Sequence, residues 1–139
     1  MRAVLDSNIF IFALRSDGEA FAEILKLTGI RFSCFIPRMV LYEIFERLKS
    51  LEGKDFAAFA AHTIKSLNIE IIADELIPHE LVEKYHKRGA KEGDGVIAAF
   101  AEWIKADYLV TENRDFLKEI RTEFTTIKAE GFIRLLLKR

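Results

Sequence analysis

At 139 residues the chain has room for one domain, spanning residues 1–139, against a usual domain size of about 100–200. Hydrophobic residues make up 50% of it, with 12 Phe among them, and charged residues 31%, which excludes a disordered chain and supplies a sizeable core. The formal net charge of −1 lacks the basic excess usual in nucleic-acid-binding domains, so bulk charge alone argues against DNA or RNA.

The N-terminus meets Asp6 too early for the apolar stretch of a signal peptide, and the longest apolar runs are too short for a membrane span, so the cytoplasm is the expected location with no membrane partner. Ala3-Val4-Leu5 reads as a short buried strand, and Asp6-Ser7-Asn8 caps a helix carrying Ile9, Phe10, Phe12 and Ala13. A second helix runs from about Gly18 to Leu27. Arg31 to Ile36 is a strand that contains Cys34, the only cysteine. A lone Cys excludes an intrachain disulfide and a thiolate zinc site, and its apolar neighbours make it a core residue.

Pro37 fits the first position of a helix that turns Val40, Leu41, Ile44, Leu48 and Leu51 inward. A helix over Asp55 to Leu67, a β-branched strand over Ile69 to Ala73 and a helix from Pro78 to Gly89 follow. The next helix, from about Asp94 to Lys105, buries Ile97, Ala101 and Ile104. Tyr108-Leu109-Val110 is a strand, Asn113 to Ile120 a helix, Thr125 to Ile127 a last strand, and Phe132 to Leu137 a terminal helix. Strands alternating with helices give an α/β fold around a central, mostly parallel sheet.

In such sheets ligands bind beyond the carboxyl ends of the strands. Two polar segments stand there: Asp6-Ser7-Asn8, and Thr111-Glu112-Asn113-Arg114-Asp115. Each also suits a helix cap. Asp94 lies on the stripe of Ile97, Ala98 and Ala101, where a carboxylate must be paired, protonated or metal-bound, unless it caps its helix. Glu43 stands at the edge of an apolar stripe, or pairs with Arg47 one turn on. Acids at two strand ends and two helices, converging on one point, need a cation to offset their repulsion. Oxygen donors without a Cys or His cluster select a hard ion, Mg²⁺ or Mn²⁺, of the kind that serves phosphoryl transfer. His62, His79 and His86 fit no nucleophile motif. Neither GxGxxG nor GxxxxGK[ST] occurs, which sets aside Rossmann dehydrogenases and P-loop NTPases.

Val4-Leu5-Asp6-Ser7-Asn8-Ile9-Phe10, Glu43 in its apolar helix, Gly93-Asp94-Gly95-Val96-Ile97-Ala98-Ala99 and Leu109-Val110-Thr111-Glu112-Asn113-Arg114-Asp115-Phe116 resemble the PIN-domain ribonucleases in order and spacing. The resemblance implies a three-layer α/β/α sandwich and a metal-dependent endoribonuclease, most often the toxin of a VapBC-type toxin–antitoxin pair. Such toxins are frequently homodimeric and are held inactive by a small antitoxin protein. It implies that Asp6, Asp94 and Asp115 hold Mg²⁺ or Mn²⁺ and that Glu43 reaches the site directly or through water, helping to orient or deprotonate the water that attacks a phosphate. Products with a 5′-phosphate and a 3′-hydroxyl would follow. Asn113, where many relatives have Asp, is either a neutral oxygen ligand or a hydrogen-bonding orienter, and Asn8 and Thr111 resemble supporting residues. Within this family the alternatives are an RNA-processing nuclease without an antitoxin and an interaction module without turnover.

Lys84, Lys87, Arg88 and Lys91 contain no acid between them and lead to Asp94, either as a path for the RNA backbone or as a solvated helix end. Trp103, Phe56 and Phe59 are core residues or part of a dimer or antitoxin surface. With four acids assigned to one site, 18 of the 22 acids remain against 21 basic residues. The near-neutral total then suggests RNA binding that depends on metal as well as on salt.

Overall fold

A computed structural model describes residues 1–138. Its five strands are β1 (Arg2–Leu5), β2 (Ser33–Pro37), β3 (Ile69–Ile72), β4 (Tyr108–Val110) and β5 (Thr125–Ile127), in the order β3-β2-β1-β4-β5. Every neighbouring pair is parallel, so the sheet is wholly rather than mostly parallel. Ala3, Val4, Leu5, Ile36, Leu109 and Val110 are fully buried, as strands covered on both faces must be.

The helices are α1 (Ser7–Leu14), α2 (Glu19–Lys26), α3 (Arg38–Glu52), α4 (Lys54–Ser66), α5 (His79–Lys87), α6 (Glu92–Trp103) and α7 (Ala129–Leu137). Right-handed crossovers place α1 to α4 on one face and α5 and α6 on the other. The packing agrees: α1 touches α2 and α3, α2 touches α7, α3 pairs with α4, and α5 pairs with α6, which lies over β2 and β4. The result is the expected three-layer α/β/α sandwich.

The chain leaves β1 toward β2 and β3, then returns to β4 on the other edge of β1. That reversal opens a crevice at the carboxyl ends of β1 and β4. Leu5 pairs with Val110, and the N–H of Asp6 donates to Val110 O at 3.0 Å, which sets Asp6 beside the loop that follows β4.

Several details differ from the sequence reading. Pro37 ends β2 in an extended conformation (φ −74°, ψ 152°) and stands just before α3 rather than inside it. Leu51, expected inside, is 50% exposed, because α3 has run past the core by its last turn. Gly53, at φ 98°, breaks the chain sharply between α3 and α4, a conformation that only Gly adopts without strain. The terminal helix begins at Ala129, earlier than Phe132.

The helix expected over Asn113 to Ile120 is a π-helical turn over Asp115–Glu119. Thr111 Oγ1 accepts the N–H of Asn113 at 3.0 Å and Asn113 Oδ1 accepts that of Asp115 at 2.9 Å. The Asn113 bond is that of a helix N-cap, and the helical backbone begins at Arg114 (φ −61°, ψ −34°). The N–H of Ile120 then reaches back five residues to Asp115 O.

Candidate active site

Asp6 caps α1 and also faces the crevice, so its two readings hold together. Its Oδ1 accepts the N–H of Ser7 at 2.8 Å, and its Oδ2 accepts the Thr111 hydroxyl at 2.7 Å and Asn8 Nδ2 at 3.3 Å. The residue is 4% exposed and Thr111 fully buried. Burial pushes the Asp6 carboxyl up to about 6, with the charges of Glu43 and Asp94 adding and the Thr111 and Ser7 bonds opposing.

Asp94 is not the helix cap. Lys91 stands there, and Asp94 lies in the first turn of α6, half-buried. Burial raises its carboxyl, and Asp115 and Glu43 raise it further, while a bond from Asn113 Nδ2 at 3.4 Å and the charge of Lys91 act against this.

Glu43 projects from the middle of α3. Among the described residues it makes no ion pair with Arg47, contrary to the surface-pair alternative, and its Oε1 is buried without a hydrogen-bond partner. A buried, unpaired carboxylate oxygen is costly unless something else satisfies it. Asp115 opens the π-helical turn with its N–H held by Asn113.

Four acids from the end of β1, α3, the start of α6 and the loop after β4 thus act on one another's charge. Among the described residues, no three His, Cys, Asp or Glu side chains form a ready-made ligand cluster. The donor chemistry nevertheless fits a hard divalent cation: all donors are oxygens, the acids raise one another's carboxyls, and Glu43 Oε1 has no hydrogen-bond partner. Asn113 commits Oδ1 to the N–H of Asp115 and Nδ2 to Asp94, the arrangement of a hydrogen-bonding orienter.

The four basic residues separate into two pairs. Lys84 Nζ binds Glu102 at 2.8 Å and Glu123 at 3.4 Å, and Arg88 binds Glu123 at 2.7 Å and donates to Arg121 O. Lys87 and Lys91 are exposed, make no ion pair among the described residues, and the charge of Lys91 reaches Asp94. The buried Tyr85 donates its O–H to Glu102 at 2.8 Å and accepts the N–H of Glu123 at 3.3 Å, joining the same network.

The remaining candidates sort by burial. Cys34 is buried, and burial pushes its thiol far up, as for an inert core residue. His62, His79 and His86 are exposed. Trp103 packs on Phe100 and Phe56 on the core, whereas Phe59 is 65% exposed. Glu112, part of the motif but without an assigned role, binds the first N–H of α7, and the only sequence signal for it is its place in the loop after a strand.

A family model described as PIN domain matches residues 3–121. Among curated proteins no match was found. Solved structures similar to the chain include VapBC2 from Rickettsia felis bound to a DNA fragment from its promoter, at 23% identity and a TM-score of 0.71, covering 92% of this chain and 98% of that one. DNA-bound VapBC from Salmonella typhimurium is similar at 18% identity and a TM-score of 0.72, covering 93% and 98%. Mycobacterium tuberculosis VapC20, described as a sarcin-ricin loop cleaving toxin, is similar at 14% identity and a TM-score of 0.64, covering 82% and 92%.

Proposed function

Since the chain belongs to the PIN-domain family, we propose that it is a metal-dependent endoribonuclease and the toxin half of a toxin–antitoxin pair. The observation that carries this reading is the buried, unpartnered Oε1 of Glu43, an acid whose charge reaches both Asp6 and Asp94. The likeness to VapBC complexes and to a sarcin-ricin loop cleaving toxin supports it.

Asp6, Asp94 and Asp115 would hold Mg²⁺ or Mn²⁺, with Glu43 completing the set. Such an ion, when bound, neutralises the acids, acidifies water and offsets charge on a phosphoryl group. Thr111 and Asn8 fix the Asp6 carboxylate, and Asn113 fixes Asp94 and the start of the π-helical turn. Glu43 Oε1, bound to nothing else in the chain, takes the proton of the attacking water. Attack at phosphorus opposite the 3′ oxygen breaks that P–O bond and leaves a 5′-phosphate, while the departing 3′ oxygen takes a proton from solvent to become the 3′-hydroxyl. Lys87 and Lys91 flank the path of the RNA backbone.

The antitoxin surface in this reading is the groove between α3 and α4, lined by Arg38, Leu41, Tyr42, Phe45, His62 and Lys65. Tyr42 is 66% exposed there. Its basic lining suits an acidic amphipathic segment.

The test is purified protein with Mn²⁺ and a labelled RNA. Cleavage that chelator abolishes, and that Asp6→Asn and Asp94→Asn each abolish, is the expected result. No cleavage with any divalent ion would mean an interaction module on the same fold.

A further inference from the structure

Glu112 follows Thr111 in the loop after β4 and reaches two other elements. Its Oε2 accepts the N–H of Ala129, the first residue of α7, at 2.9 Å. The preceding Lys128 offers that helix no side-chain cap, and Ala129 is buried, so without Glu112 this N–H has no protein partner. The N–H of Glu112 itself donates to Asn8 Oδ1 at 3.3 Å, and Asn8 Nδ2 donates in turn to Asp6. A continuous strut therefore runs from α7 through Glu112 and Asn8 to Asp6. The flanking Thr111 and Asn113 extend it to Asp94 and Asp115.

From this strut we infer that Glu112 is a positioning residue: by anchoring the loop after β4 on the N-terminus of α7, it holds Asn8, Thr111 and Asn113 where they orient the acids. It acts through those residues and not on an ion or substrate. The inference rests on the proposed metal-binding site.

The experiment measures Mn²⁺ affinity by titration calorimetry, together with metal-free melting temperature, for the wild type, Glu112→Ala, Glu112→Gln and Ala129→Pro. Ala129→Pro deletes the donor without touching Glu112. Pro suits the first position of a helix, and Lys128 already has the extended backbone (φ −77°, ψ 160°) that a residue before Pro prefers. Glu112→Ala and Ala129→Pro should each weaken Mn²⁺ binding about tenfold, the usual scale for residues that orient metal ligands. Glu112→Gln keeps an oxygen for the same bond and should stay close to the wild type.

Glu112→Gln as weak as Glu112→Ala would assign the effect to lost charge and overturn the inference. A lower melting temperature with unchanged affinity in both Glu112→Ala and Ala129→Pro would reduce Glu112 to a cap of α7 and also overturn it. If Glu112→Ala does not fold, Ala129→Pro compared with Glu112→Gln carries the test. A wild type that binds no Mn²⁺ removes the proposed function and the inference with it, a result separate from the other two.

Discussion

Asp6 is held by three donors yet its carboxyl stands at about 6 against an ordinary 3.8, because burial and two neighbouring acids outweigh them. Between those two pH values the folded chain keeps a proton that the unfolded chain has lost. The stabilisation is thus complete below about pH 3.8 and gone once the pH has risen through 6, a loss on the order of 3 kcal/mol. In metal-free protein at pH 8, Asp6→Asn should therefore melt several degrees above the wild type, with the gap closing toward pH 4; pH-resolved thermal melts check this. Saturating Mn²⁺ should raise the wild-type melting temperature and leave that of Asp6→Asn unmoved. Asp6 and Asp94 were legible in the sequence as carboxylates placed by a strand end and an apolar stripe. The partners of Asp6 were less so, since Thr111 lies 105 residues away and only the pairing of β1 with β4 brings it near.

Among the elements, α5 separates two jobs that one basic run presents as a single feature. Lys84 and Arg88 tie the helix to Glu102 and Glu123, which lie 18 and 35 residues further on, so no local pattern announced them. Lys84→Ala and Arg88→Ala should lower the melting temperature and leave RNA affinity intact. Lys87→Ala and Lys91→Ala should do the reverse, each flattening the salt dependence of RNA binding by about 0.7–1 in log–log slope. Tyr85→Phe strips this part-buried network of its hydroxyl and should cost about 1 kcal/mol in denaturant unfolding without changing cleavage. The order and type of the elements were readable because hydrophobic spacing switches between strand and helix periods along the chain. The π-helical turn was not, because the reach of the Ile120 N–H back five residues to Asp115 O leaves no mark on the hydrophobic spacing.

At the scale of the whole molecule, the acid site and the α3–α4 groove are distinct surfaces, and Glu43 belongs to the helix that borders both. Tyr42→Glu, in the lining of that groove, should leave RNA cleavage at the wild-type rate while preventing a cognate antitoxin from suppressing it, which an inhibition titration reads directly. Near-neutral charge is compatible with RNA binding once the four acids are counted apart from the rest of the surface. The strand order adds a matter of timing. β1 is made well before β4, its partner on one edge, so during synthesis that edge stays open until β4 arrives. A nascent chain therefore carries Asp6 without Thr111, Asn113 or Asp115 beside it, and a fragment ending before Tyr108 should bind no Mn²⁺. Vectorial synthesis thus leaves the proposed site incomplete until β4 and the loop after it have emerged.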